Sequence, residues 1–548
     1  MRILTIIPAR GGSKGIPRKN IRFMVDKPLI AYAIECAQNS SYQMDVAVST
    51  EDEEIARVAN LYGEGRAEVI SRPNCLAGDD VTLDPVIYHA LVTLEKKKDI
   101  RYDVVITMQP TSPLLKTSTL DKAIDIFLKS KCDTLISGEN DPRLSWRLEN
   151  GEYVPNYVER RNRQYLPKDI KETGAFVISK RENVTETSRI KGIINIFEVP
   201  ENEACDIDTF QDWYIAELEL TKKRLIIRTD GYEEIGMGHI YRGIQLAANL
   251  MKHEVLFVLS SKSDMGLQKI SNSHFPFCVI ESEDDFFDII NSFKPDIVIN
   301  DILNTTVGYM NRLKKIQGLR VVNFEDMGKG QHLADAVINA LYEGESGREN
   351  VYFGEKYYLI RDEFLLAKPK IFDTQVSEVI VLFGGTDPGN YTKKAVSALL
   401  EIVETYNIHV TVILGIGYRE TEQIYKIVGN NHRFDIVRDV KLMTDYMKNA
   451  DLAIASQGRT MYELSIMGVP TIIMAQNERE MMHEFGTMRN GFLNLGLGSS
   501  VEKRTLIRTI SWLIECPEVR RNMHEEMLRR DLKSGFLRVE KIILGEEL

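Results

Sequence analysis

Four cations, Arg10, Lys14, Arg18 and Lys19, fall within ten residues of one loop, PARGGSKGIPRKN (8–20), directly after an apolar run. The glycines and Ser13 let backbone N–H groups approach an anion closely. This combination suits a polyphosphate whose charge must be held while a leaving group departs. A solvated basic loop is the competing reading. The spacing GxxxxGK[ST] is absent, so a P-loop ATPase does not follow. Far downstream, CDIDTFQD (205–212) sets Asp206 and Asp208 two residues apart, and an extended segment would turn both carboxylates to one face. Such hard oxygen ligands suit Mg²⁺, which keeps waters and bridges to phosphates. For Asp208 taken alone the competing role is a helix N-cap.

A second constellation begins at TDGYEEIGMGHIYRG (229–243). Gly236 and Gly238 allow a tight strand-to-helix turn, and His239 then falls at the helix start. A helix N-terminus favours anions and keeps a histidine neutral, so His239 could act as general acid or base beside a diphosphate. A structural histidine capping a turn is the alternative. The dinucleotide fingerprint is incomplete, because Arg242 and Gly243 do not supply the third glycine. Two later stretches, FGGTDPGN (383–390) and ASQGRTMYELSIMGVP (455–470), each follow an apolar run. In the second, Glu463 could accept hydrogen bonds from both hydroxyls of a ribose while loop amides hold phosphates. A solvated helix position is its plainer reading.

The elements that would position these residues alternate along the whole chain. Ile3–Pro8, Val46–Ser49, Val104–Met108 and Thr134–Ser137 read as buried strands. Between them, Leu120, Ala123, Ile124, Phe127 and Leu128 mark one helical face. The alternation predicts an α/β fold with largely parallel sheets. A charged segment, ELELTKKR (217–224), closes the first domain near Lys222. The same grammar resumes in LIIRTD, VLFVLS, DIVINDI, RVVNF and AVIN. A polar linker, AKPKIFDTQVSE (367–378), then precedes VIVLFGGTD, HVTVILG, DLAIASQG and TIIMAQ. The reading is three domains: 1–222, a first lobe over 223–368 and a second over 376–548, with a ligand cleft between the lobes. A net charge of −11 argues against broad nucleic-acid binding. The six cysteines form no CxxC pair. No signal-peptide pattern or membrane-spanning run occurs, so a cytoplasmic setting away from membranes is expected.

ARGGSKGIPRKN, RPNCLAGDD (72–80), MQPTSP (108–113), RQYLPKDIKETGAF (163–176) and DIDT (206–209) stand in the order found in CMP-sialic acid synthetases. Residues 1 to about 222 resemble that family. The resemblance implies a Rossmann-like nucleotidyltransferase domain. It would move CMP from CTP to the anomeric hydroxyl of a nine-carbon 2-keto sugar acid, with pyrophosphate leaving. It further implies that Arg10, Ser13 and Lys19 hold the CTP phosphates, with Asn20 near the nucleotide and Lys14 near the α-phosphate. Arg72 and Asp79 would lie near base and ribose. Gln109 and Thr111 would contact the sugar acid, and Arg163 would pair with its carboxylate. Asp206 and Asp208 would hold Mg²⁺, and Asp206 would take the proton. A homodimer is also implied. The chain departs from the family at Leu115–Lys116, where arginine is usual, at Thr173, where asparagine is common, and at Arg143, which stands for a substrate-contacting lysine. All three lie near the sugar, so pseudaminic or legionaminic acid is as compatible as sialic acid.

Residues 225–548 resemble the UDP-sugar hydrolases of pseudaminic acid biosynthesis and their spore-coat-polysaccharide relatives. The matching pieces are IGMGHIYR, VINDI with Asp301, NFEDM, YLIRDEF, FGGTD and SQGRTMYEL. The resemblance implies two Rossmann-like lobes of glycosyltransferase-B type. Water would attack the anomeric carbon of a UDP-sugar without a metal. His239 would be the catalytic group, assisted by Asp301, while Ser456, Gly458, Thr460 and Glu463 bind uridine diphosphate. Gln457 and Arg459 flank Gly458 where smaller residues are usual. The whole reads as a bifunctional enzyme of sialic-acid-like sugar biosynthesis. The alternatives are that the second half is a glycosyltransferase or a non-catalytic nucleotide-binding module.

Overall fold

The computed structural model describes residues 1–12, 15–232, 235–344, 349–438 and 440–547. Ser13 and Lys14 lie outside the described residues. The chain forms two compact units, Met1–Lys222 and Lys223–Leu548.

In the first unit a seven-stranded sheet runs Ile194–Glu198, Thr134–Asn140, Ile170–Lys180, Val104–Met108, Ile3–Pro8, Met44–Thr50, Ala67–Ser71. The apolar runs form its centre because both faces are covered: every residue of Ile3–Pro8 and of Val104–Met108 is buried. These two strands are parallel neighbours, and the chain leaves them in opposite lateral directions. The segments that leave their carboxyl ends, after Pro8 and after Met108, therefore open at a switch point of the sheet. Ile170–Lys180 runs antiparallel to both neighbours, and its register shifts between Glu172 and Val177. Gly174 sits in that irregularity at φ +69°, a conformation glycine adopts without strain. The helix read from its apolar face spans Thr117–Lys129 and buries Leu120, Ala123, Ile124 and Phe127.

The second unit holds two all-parallel sheets. One runs Phe277–Ile280, Glu254–Ser260, Arg224–Thr229, Ile297–Asp301, Arg320–Phe324, Ala336–Asn339, Val351–Phe353. The other runs Phe434–Arg438, His409–Leu414, Glu378–Leu382, Leu452–Ser456, Thr471–Ala475, Phe492–Leu497. In each, chain order reverses beside the first strand. The crevices thus fall after Thr229 and Asp301 in one sheet and after Leu382 and Ser456 in the other. The sequence reading places everything from 376 to 548 in the second lobe. The last helix, Gly535–Leu544, instead returns to the first. Arg320 donates to the carbonyls of Ile542 (2.8 Å) and Ile543 (3.0 Å), and Lys252 pairs with Glu540. Val539, Ile542 and Ile543 join the apolar core shared with the first sheet, so burial on a distant lobe outweighs sequence proximity.

Candidate functional site

In the first unit the basic loop and the aspartate segment meet. Lys19 Nζ lies 3.3 Å from Asp208 Oδ1 and donates to the Ile207 carbonyl. The Ile207 N–H donates to the Thr111 carbonyl (2.9 Å). Ile207 is wholly buried, so Asp206 and Asp208 stand astride an anchored residue. Gly15 lies so close to this segment that a Cβ there would come 2.4 Å from the Asp208 carbonyl oxygen. The N-cap reading of Asp208 does not hold. Thr209 caps the helix Phe210–Thr221, and Asp212 completes the capping box. The Asp208 carboxylate, 77% exposed, is left for other partners. Asp206 is half-buried. Burial and the adjacent Asp208 push its carboxyl above the usual range, against the pull of Thr111, Lys19 and Lys171. Gly174 explains how Gln109 reaches this point: a Cβ there would lie 2.9 Å from Gln109 Nε2 and 3.1 Å from Asp206 Oδ2.

The remaining expected residues fall into three groups. Arg10 pairs with Asp79 at 3.0 Å, and its carbonyl accepts from Asn20, which is buried beneath the loop. Arg72 is buried and donates to the Ser49 carbonyl (2.6 Å), so it braces the strand edge. Burial holds its guanidinium below the ordinary value. Arg143 and Arg163 share Asp141, at 2.7 Å and 3.3 Å, but their side chains are 73% and 67% exposed. Both arginines are thus held by Asp141 at the surface. Thr173, at the family's asparagine position, is buried and donates to Ser137. Among the described residues no three His, Cys, Asp or Glu side chains cluster as a metal cage. Two carboxylates fit instead an ion that completes its shell with water and phosphate oxygens.

In the second unit a cavity of about 420 Å³ lies between the lobes and is lined by both. His239 stands on its wall, near the start of helix Gly238–Asn249. Its Nδ1 lies 2.5 Å from Asp301 Oδ1, which leaves Nε2 as the ring nitrogen for chemistry. Asp301 is fully buried at the end of its strand and also accepts both Nε (2.6 Å) and Nη2 of Arg242. Burial opposes ionisation there, yet Arg242 and His239 hold its carboxyl below the usual carboxylate range. Arg242 Nη1 continues to Glu325 Oε1 at 2.9 Å.

The opposite wall carries Ser456, Gly458, Thr460 and Glu463. Glu463 is buried, not solvated, and accepts from Arg361 Nε of the first lobe (2.7 Å). Tyr358 donates to the Arg459 carbonyl (3.1 Å) and stacks on Tyr462 at 3.8 Å. Arg459 itself presses on Gly238, where a Cβ would lie 2.9 Å from its Cδ. Sequence reasoning passed over Arg242, Glu325, Arg361, Arg479, Glu480 and His483, all on the cavity wall. The blocks NFEDM and YLIRDEF contain two of them, but nothing in their spacing says which side chain faces inward. Burial pushes Glu480 up to about 7 and His483 down to about 4.

Fold and site define a nucleotidyltransferase-type α/β unit joined to a two-lobed unit of glycosyltransferase-B type. Residues 4–173 match the cytidylyltransferase family model, and residues 379–526 match the glycosyltransferase family 28 C-terminal domain. A pseudaminic acid cytidylyltransferase of Campylobacter jejuni is 36% identical over 225 residues, 40% of this chain and 96% of that one. The chain belongs to this cytidylyltransferase family through its first unit. A Helicobacter pylori protein, pseudaminic acid cytidylyltransferase and UDP-2,4-diacetamido-2,4,6-trideoxy-beta-L-altropyranose hydrolase, is 24% identical over 550 residues, 95% of this chain and 96% of that one. Uncharacterized protein MJ1062 of Methanocaldococcus jannaschii is 29% identical over 275 residues, and the chain spans only 56% of its length.

Proposed function

We propose that the chain carries two activities of nonulosonic acid biosynthesis, with pseudaminic acid as the sugar. In the first unit the anomeric hydroxyl of a nine-carbon keto sugar acid attacks the α-phosphorus of CTP. The bond to the β-phosphate breaks, and pyrophosphate leaves with the electron pair. The observation that carries this is the convergence of Lys19 on Asp208 and Ile207. It sets a cation and two carboxylates at the switch point where a triphosphate meets the sheet. Asp206, beside Asp208 and Lys19, would take the hydroxyl proton. Lys19 and Arg10 hold phosphate charge, and Arg10 exchanges Asp79 for the nucleotide. Cytidylyltransferases of this kind generally use a divalent metal. Here Asp206 and Asp208 would hold Mg²⁺, which when bound neutralises phosphate charge.

In the second unit water attacks the anomeric carbon of a UDP-linked amino-deoxy sugar, and the bond to UDP breaks with UDP taking the electron pair. The water's proton passes to His239 Nε2, and Asp301 stabilises the imidazolium and fixes the ring. The 2.5 Å His239–Asp301 contact on the cleft wall carries this reading. Glu463 and the amides of loop 456–460 would hold ribose and diphosphate. The likeness over the full length to the Helicobacter pylori protein supports pairing the two activities. The match to a glycosyltransferase domain supports a second reading, transfer of the sugar to an acceptor. Incubation of the purified chain with the diacetamido UDP-sugar decides. Release of UDP without an acceptor supports hydrolysis, release only with an acceptor supports transfer, and no release supports a binding module. Pyrophosphate release from CTP with pseudaminic acid tests the first activity in the same preparation.

A homodimer through the first unit belongs to the same proposal. It is supported by the hairpin Trp146–Glu149 and Glu152–Pro155, which exposes Trp146, Leu148 and Tyr153. Light scattering on the intact chain tests it. A cytoplasmic site of action is part of the same proposal, because CTP and nucleotide-sugars are made there. Among the described residues no helix is long and apolar enough to cross a membrane.

A further inference from the structure

Glu325 pays three penalties at once, and the His239–Asp301 pair requires none of them. Its backbone is left-handed, at φ +50°, where a side chain is strained. Its carboxyl is buried, with the residue only 3% exposed. Only one of its two oxygens is satisfied. Oε1 accepts from Arg242 Nη1, while Oε2 has no hydrogen-bond partner among the described residues. The surroundings fix it in this state. Its N–H donates to the Ile338 carbonyl (3.0 Å), and its own carbonyl accepts from Arg479 Nη2 of the opposite lobe (2.6 Å). Glu325 nonetheless lines the cavity, and Oε2, which is itself covered, would meet a ligand there once the carboxylate turns. It hangs from the same guanidinium that grips Asp301, and that guanidinium lies 3.3 Å from His239 Nδ1. An orphaned buried oxygen in a strained loop, one residue removed from the proposed base, is the mark of a group held ready for a ligand.

We infer that Glu325 Oε2 is a sugar-recognition atom: it hydrogen-bonds a polar group of the nucleotide-sugar's sugar ring, beside the carbon attacked. The inference rests on the reading of this cleft as a UDP-sugar site. Glu325 specifies the sugar and not the nucleotide, because the diphosphate and ribose groups proposed above lie on the other lobe. Arg242 acts as the positioning residue that aligns Glu325 and the His239–Asp301 pair against one substrate.

The test compares Glu325→Met and Glu325→Gln in the full chain. Both keep a side chain at φ +50°, so backbone strain cancels. Binding of UDP and of UDP-2,4-diacetamido-2,4,6-trideoxy-beta-L-altropyranose is measured by calorimetry in a His239→Asn background, where the sugar is not consumed. Glu325→Met is expected to leave UDP affinity within about threefold and to weaken the nucleotide-sugar by about 10- to 100-fold, the range for one hydrogen bond involving a charged group. Glu325→Gln, which keeps an acceptor for Arg242 and a polar end for the sugar, should recover most of that loss. With His239 restored, kcat/KM for UDP release should fall by the same factor as binding. Parallel loss of UDP and nucleotide-sugar affinity overturns the inference, as does no loss of either. If wild-type protein binds the nucleotide-sugar but releases no UDP, the hydrolase reading fails while the binding ratio still decides the role of Glu325.

Discussion

Replacing Arg242 by methionine would leave two buried carboxylates facing each other without their shared cation. The wild-type guanidinium gives two nitrogens to Asp301 and one to Glu325, and all three residues are at most 3% exposed. Removing one member of a buried ion pair costs about 3–5 kcal/mol, because the remaining charge keeps its desolvation penalty. That range is the expected loss for the second unit at neutral pH. The sign of the Asp301 contribution to the pH dependence should also reverse, while Glu325, already raised by burial in the wild type, should rise further. In the wild type the Asp301 carboxyl is depressed in the folded state, so its contribution is present above the unfolded value of 3.8 and fades as pH falls below it. In Arg242→Met the folded-state carboxyls rise above their unfolded values, so stability should be lost as pH rises from about 4 towards 8. Adding Asp301→Asn removes one charge and should recover about 2 kcal/mol, a coupling of the size seen between contacting residues. Hydrogen exchange in strand Ile297–Asp301 of the full chain, followed through a denaturant series, reports this unit separately. A loss below about 1 kcal/mol in the single variant, or a double variant no more stable than it, would refute the argument.

Other substitutions separate the two sites. Asp208→Ala should lower metal-dependent pyrophosphate release by at least about 100-fold. It should change stability by no more than about 0.5 kcal/mol, since Thr209 and Asp212 supply the cap, and UDP release should persist. His239→Ala should do the reverse, removing about 100-fold or more of UDP release and sparing CMP transfer. Unchanged UDP release would take the imidazole out of the chemistry. Gly174→Ala should cost about 1–2 kcal/mol from its φ of +69°, and it should impair CMP transfer by crowding Gln109 and Asp206, read by pyrophosphate assay and melting temperature. His483 titrates near 4 when folded and 6.5 when unfolded, so its contribution is complete above 6.5 and is lost as pH falls towards 4. The difference is roughly 3 kcal/mol, and His483→Asn should flatten that limb of the stability curve.

Much of the fold was legible because buried parallel strands and amphipathic helices leave period-specific apolar patterns. Ile3–Pro8 and Val104–Met108 have the same limits in sequence and structure. The last helix was not legible, since the pattern Phe536, Val539, Ile542, Ile543 states that an apolar face exists but not which lobe receives it. The site divides in the same way. Residue types and spacing singled out the basic loop, the paired aspartates, His239 and Asp301, because polyphosphate binding and proton transfer demand particular groups on short stretches of chain. That Thr209 and not Asp208 caps the helix turned on Asp212, three residues on, whereas whether Glu463 meets water or Arg361 and which of the polar residues in NFEDM turns inward were decided by contacts across tens to hundreds of residues. Local sequence sets conformational preference and apolar periodicity. Desolvation and charge pairing depend on which distant side chains arrive, and only the folded chain settles that.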